Sequence, residues 1–321
     1  MEGNDAMIQF HRESNNCFQD IIAMIIENCG RTSLLIYQGS LNFGYKRNEE
    51  LFGNRIVPSR DENWLDCSLE ESLIDNYGLY LKKMHTSDIL QVLHDINTEK
   101  IGIILELDVY DCPWHIFGGK YHSPHYCWAI KSDNTYVECV LPYGAKRGYL
   151  EVNKVLSKGY VDYFIIEKKE NVEEKDLEYI LCKAVHNCKV GWNGLSDIQK
   201  MEMLRDDIQL VGIDILKERE EVDDIIAIPL VRAFEWLVWS RVNFQDMIIY
   251  KNDNGIADRL ILELHELSAM WKGIKNYIIR AVMRKNRIVG PDIVPYFDTI
   301  IQKEKEVLKI MEEVEGMLHD M

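Results

Sequence analysis

The sequence contains no CxxC pair. Its eight cysteines (17, 29, 67, 112, 127, 139, 182 and 188) are scattered along 321 residues. That spacing excludes a zinc-ribbon or zinc-finger framework. It also argues against a disulfide-stapled scaffold, and most of these thiols are expected to be reduced and packed as small apolar groups. His186 and Cys188 stand close together and are read as a polar edge and a core position of one helix, not as metal ligands. No uninterrupted apolar run reaches the ~18 residues of a membrane span. Positive charge is in deficit, with 37 Lys and Arg against 53 Asp and Glu and a formal charge of −16. A surface of that sign argues against a nucleic-acid partner, because phosphate binding needs a basic face. It suits a cationic small molecule, attracted by a field that salt screens. No internal repeat or low-complexity segment is evident. The opening, MEGNDAMIQFHRES, is acidic and polar, unlike a secretory signal or an Arg-rich transit peptide. A cytoplasmic location with no membrane partner is therefore expected.

What is present is a chain with an ordinary hydrophobic fraction of 47% and a length that suggests about two domains. After a loosely ordered lead-in over 1–14, Asn15 or Asn16 caps a helix that begins near Cys17 and ends at Gly30. Residues 31–60 mix short strand-like runs with Gly and Asn turns. Two acidic helical segments follow, Ser68–Tyr77 and Thr86–Glu99. Runs rich in Val, Ile, Leu and Tyr then predict strands at Ile101–Tyr110, His125–Lys131, Tyr136–Leu141 and Tyr160–Glu167. Downstream the apolar period is helical over Val172–Cys188, Leu195–Glu221, Asp224–Tyr250, Ala257–Asn286 and Ile293–His319. The expected fold is α+β: an N-terminal Cys helix plus antiparallel sheet over 1–168, then an α-helical bundle domain over 169–321.

Three residues carry the candidate chemistry. Cys17 falls in the first turn of a helix, where the positive end of the helix dipole favours thiolate; a buried structural thiol is the alternative. His125 stands at the mouth of its strand, just after Pro124. If Ile101–Tyr110 runs antiparallel to that strand, Asp108 near its end faces His125 and orients the imidazole; a capped loop carboxylate is the alternative. His115 and His122 belong to the intervening loop and either line a substrate mouth or are solvated.

GIILELDVYDCPWHIFGGKYHSPHYCWAIKSDNTYVECVLP, with its Asp-x-Tyr, Pro-Trp loop and His strand, resembles the butirosin-biosynthesis acyltransferase family. That family is similar in fold to papain-like and bacteriocin-processing cysteine peptidases. NNCFQDIIAMIIENCG resembles its N-terminal Cys helix, SLNFGYKRNEELFGN its Gly/aromatic segment, and LHELSAMWKGIKNYIIRAVM its C-terminal helix. The resemblance implies a papain-like first domain with Cys17 as nucleophile, His125 as general base and Asp108 as orienting acid. Tyr110, Trp114 and His122 then line the substrate site. One departure stands out: the peptidase pattern has Asp before the Pro that follows the hairpin, and this chain has Leu141. Asp108 or Glu138 substitutes, or a Cys–His dyad suffices.

The activity so implied is acyl transfer from an acyl or peptidyl carrier-protein thioester, through acyl-Cys17, to a small-molecule amine. Related amide-forming cysteine-protease homologues join acyl chains to a diamine. No metal or cofactor of its own is needed, the phosphopantetheine belonging to the carrier protein. An oxyanion would be held by the Cys17 backbone N–H and by a donor such as Asn15 or Asn16. The alternatives are hydrolysis by a cysteine peptidase or amidase with the same pair, and a non-catalytic helical binding scaffold in which Cys17 is inert. Lys82–Lys83 and Lys146–Arg147 are the basic pairs available to dock an acidic carrier protein.

Overall fold

The computed structural model describes residues 12–57, 67–95, 100–115, 118–120, 122–141, 147–191, 194–219 and 224–321. In chain order the first elements are α1 (Cys17–Asn28), β1 (Gly44–Tyr45), α2 (Phe52–Arg55), β2 (Ile56–Val57) and α3 (Cys67–Tyr77). Then come β3 (Leu79–Thr86), α4 (Ile89–His94), β4 (Lys100–Asp108), β5 (Pro124–Ser132), β6 (Tyr136–Val140), β7 (Arg147–Glu151), α5 (Val152–Val155) and β8 (Val161–Lys168). The remainder is helical: α6 (Leu177–Val190), α7 (Asp197–Val211), α8 (Ile215–Glu218), α9 (Pro229–Lys251), α10 (Asp258–Arg284) and α11 (Gly290–His319). The fold is thus α+β, with an antiparallel sheet and a C-terminal helical region. No described helix is long and apolar enough to cross a membrane.

The chain divides into two compact units, Met1–Ile36 with Leu73–Glu174, and Tyr37–Ser72 with Lys175–Met321. Residues 37–72 group with the helical unit. Within that unit β1 pairs with β2, the Tyr45 hydroxyl donates to Asp207 of α7 at 2.8 Å, and buried Glu218 accepts the Phe52 N–H. These long-range polar contacts leave no local trace in composition.

In the first unit six strands form one antiparallel sheet in the order β3-β8-β4-β5-β6-β7. Strand β3, LYLKKMHT, escapes a reading by hydrophobicity because it is an edge strand with four consecutive exposed residues. Lysines on an edge protect it from pairing with other chains. One face of the sheet carries an apolar cluster of Ile103, Leu105, Leu107, Cys127, Ala129 and Ile165, covered by Ile89 and Leu93 of α4 and Val155 of α5. The other face receives α1. Phe18 makes edge contacts with Tyr126 and Phe164, at centroid distances of 4.9 and 5.0 Å. Gly102 lets the helix come close: a Cβ there would stand 2.7 Å from Ile25 Cδ1.

The helical unit is centred on Phe234, Trp271 and Phe297, whose ring centroids lie 6.0 to 6.2 Å apart. Among them is a buried charge pair. Arg241 Nη2 donates to Glu304 Oε1 at 2.7 Å, and the Trp271 indole N–H donates to the same oxygen at 2.8 Å.

Candidate functional site

Cys17 is the first residue of α1, and the local sequence sets it there. The Asn16 side chain accepts the Gln19 N–H at 2.8 Å, while the Gln19 side chain accepts the Asn16 N–H at 3.2 Å, forming a reciprocal capping box. The Asn15 amide donates to buried Asp20 at 2.8 Å. Asn15 Nδ2 and Asn16 Oδ1 thus serve the helix start. The Cys17 thiol is half-buried.

Over residues 125–129, β5 alternates between buried and half-buried side chains. His125, Cys127 and Ala129 are buried and pair with Leu107, Leu105 and Ile103 of β4, all on the face of the apolar cluster. Tyr126 and Trp128 point the other way, and it is Tyr126 that meets α1 through Phe18. The His125 ring therefore belongs to the sheet face opposite the Cys17 helix, which runs against the pairing expected from sequence. Its ring neighbour is His115, at a centroid distance of 4.7 Å. Burial and the His115 charge push His125 down to about 4, and burial lowers His115 as well. Both rings are neutral at neutral pH.

The expected Asp108–His125 contact is likewise not formed. Asp108 pairs in register with Pro124, one residue from His125, and a shift of one residue in a strand changes the face. The carboxylate instead holds His122: Asp108 Oδ2 lies 2.8 Å from His122 Nδ1, while Oδ1 accepts the Tyr110 and Ser123 N–H groups at 3.0 and 3.2 Å. Partial burial pushes the Asp108 carboxyl up, but His122 and the two backbone donors outweigh it and hold the group below the usual carboxylate range. Tyr110 stacks on the His122 ring at 4.4 Å with 15° between planes. Together they form an oriented imidazole, its carboxylate and an aromatic platform. A groove of about 270 Å³ opens beside them, lined by Asp108, His122, Asp111, Asp162, Lys154 and Lys158 among others; neither Cys17 nor His125 lines it.

Trp114 plays a different part from its expected neighbours. Its ring lies on Gly148, where a Cβ would come within 2.7 Å of it, and it packs against the apolar cluster. Its buried indole N–H has no acceptor among the described residues. Glu138, the other candidate acid, pairs with Arg147 at 2.6 Å. Lys82 and Lys83 are paired with Glu167 and Glu106, each at 2.8 Å; Lys146 lies outside the described residues. Arg147, Lys82 and Lys83 are thus each paired within the fold while about half exposed.

The cysteines differ sharply. Burial pushes Cys112 up to about 12 and Cys127 well above the usual thiol range, the latter in contact with Cys139. Such thiols stay protonated and inert. No three described His, Cys, Asp or Glu side chains converge so as to hold a metal ion. The residue that sequence reasoning passed over is Tyr126. Its hydroxyl pKa is raised by burial and then by the nearby charges of Glu106 and Cys17. A strand whose two faces are both partly buried offers no alternation from which this could have been read. Neither a family model nor a curated protein matches the sequence.

Proposed function

We propose that the chain is a cysteine-dependent acyltransferase whose first unit has a papain-like arrangement. It moves an acyl group from a carrier-protein thioester through acyl-Cys17 to a small amine. The observation that carries this reading is the seat of Cys17, a half-buried thiol at the first position of a capped twelve-residue helix laid against an antiparallel sheet. Papain-like enzymes hold their nucleophile in this way, and the helix N-terminus favours thiolate. The acyl donor and the amine come from the family that the residues resemble.

In the first step the Cys17 thiolate attacks the thioester carbonyl. The tetrahedral adduct collapses, the carrier thiol leaves, and it takes up the proton that Cys17 gave away. In the second step the amine nitrogen attacks acyl-Cys17, its proton passes to a solvent base, and the Cys17 thiolate departs. Asp108 orients His122, but Cys17 does not line the groove beside that pair, so His122 is not assigned this role. A ring with a pKa of about 4, as His125 has, is a weak acceptor at neutral pH.

Intact-mass spectrometry after incubation with acyl-loaded carrier protein tests the reading. The expected result is one acyl increment on the wild type and none on Cys17→Ala, with discharge faster to amines than to water. An adduct that persists in Cys17→Ala overturns the assignment, and release to water despite excess amine makes the protein a hydrolase.

A further inference from the structure

We propose that the groove between α10 and α11 binds a small amphiphilic carboxylate, an acid with an unbranched apolar tail, its head held by Arg280 and its tail by an isoleucine floor. The site lies within the helical unit and does not depend on the acyltransferase reading.

Gly273, Tyr277 and Arg280 follow one another at helical spacing along one face of α10, and Ile293, Tyr296 and Ile300 do so along α11. Between them lies a groove of about 360 Å³, within the range of about 300–1,000 Å³ that small-molecule sites occupy. Ile274, Ile293 and Ile300 are buried and form its floor. Tyr277 of one helix and Tyr296 of the other stand with ring centroids 6.3 Å apart and 35° between planes. The Thr299 hydroxyl is turned to the Pro295 carbonyl at 2.8 Å, so it leaves the groove apolar. Gly273 keeps one wall low: a Cβ there would meet no described atom within 4 Å. Glycine inside a helix is destabilising, and neither its φ nor close packing demands one here. The open space beside it is what a tail would fill. From Arg280 back to Gly273 the helix runs about 10 Å, the reach of a medium-length alkyl chain.

The head group follows from charge. No carboxylate lines the groove, in a chain with 53 Asp and Glu against 37 Lys and Arg. Arg280 makes no ion pair or hydrogen bond among the described residues, so its planar fork of donors is open to a ligand carboxylate. Tyr277 stands one turn before it on the same face. Burial first, then the charges of Asp292 and Tyr296, raise the Tyr277 hydroxyl, and Arg280 opposes them. The phenol therefore keeps its proton and can donate to the same head group. A cationic head would meet Arg280 with like charge, and a neutral one would leave the guanidinium unused.

Calorimetric titration of the full chain with octanoate tests this, with 1-octanol as the neutral-headed control. The wild type should bind octanoate, and 1-octanol more weakly. Arg280→Gln removes an exposed charge and should weaken octanoate about tenfold while leaving 1-octanol unchanged. Gly273→Leu fills the groove from an open position. It should abolish binding of both ligands while the urea midpoint holds or rises. Cys17→Ala should bind octanoate as the wild type does. The proposal is overturned by a wild type that binds no octanoate, by an unchanged octanoate affinity in Arg280→Gln, or by a folded Gly273→Leu that still binds. Loss of binding in Cys17→Ala overturns it too, because the acid would then sit at the thiol. Light scattering completes the test: a dimer that Gly273→Leu dissociates would assign the groove to a second copy of the chain and overturn the carboxylate. The acyltransferase reading stands or falls on acyl-Cys17, so the two fail separately.

Discussion

His125 should make the stability of the protein acid-sensitive in a way that reports which face of the sheet its ring occupies. The side chain is 4% exposed, the His115 ring is 4.7 Å away, and the imidazole is pushed from 6.5 to about 4. In the unfolded chain His125 takes up a proton as the pH falls through about 6.5; in the folded protein it resists until about 4. The neutral ring is therefore the folded form. Its contribution is complete above about 6.5 and is lost progressively as the pH falls toward 4. A displacement of this size corresponds to roughly 3 kcal/mol, at 1.36 kcal/mol per unit. His115, lowered by its own burial, acts in the same direction. Replacing His125 by Leu, which matches its neighbours Leu107 and Cys127, should flatten the acid limb of stability without abolishing the fold. Urea unfolding at a series of pH values measures the limb, and NMR titration of the ring measures the midpoint directly. A His125 ring that titrates near 6.5 or higher, and that responds to Cys17→Ala, would refute the reasoning. It would place the imidazole with the thiol and restore the pairing expected from sequence.

Two further predictions concern packing. Glu304→Leu leaves Arg241 buried without its carboxylate and the Trp271 N–H without its acceptor. It should cost about 3–5 kcal/mol, while Arg241→Met combined with Glu304→Leu should recover most of that loss. Additive effects in a double-mutant cycle by chemical denaturation would contradict the coupling. Gly102→Ala forces a methyl against Ile25 Cδ1 and should destabilise by about 1 kcal/mol. Adding Ile25→Val removes that carbon, so the double variant should lose less than the sum of the two singles, as read from urea midpoints.

Much of the architecture was legible in the sequence because its signals are local. Asn16 and Gln19 mark the start of α1, and Gly30, at a φ of +75°, follows its end as a C′ residue should. The runs at 101–110, 125–131, 136–141 and 160–167 became β4, β5, β6 and β8, and Pro229 opens α9 from its first position. The expected helix over Leu195–Glu221 is interrupted at Gly212, with a φ of +65°, between α7 and α8. Strands β3 and β7 went unread because they are edges, and their exposed, charged residues carry little hydrophobic signal. The grouping of residues 37–72 with the helices depends on contacts such as Phe43 N–H to Asp197 at 2.9 Å, more than a hundred residues away.

The sequence by itself determined that Cys17 begins a helix and that the strand carrying His125 belongs to an antiparallel sheet. Only the tertiary structure decided which residues of those strands meet. In PHYCWAIKS both faces are at least partly buried, so hydrophobicity reads the same in either phase. The register of β4 on β5, fixed by the whole sheet, then places Leu107 opposite His125, gives Asp108 to His122, and turns Tyr126 toward α1. With a side-chain period of two, one residue of register decides whether His125 or Tyr126 faces α1.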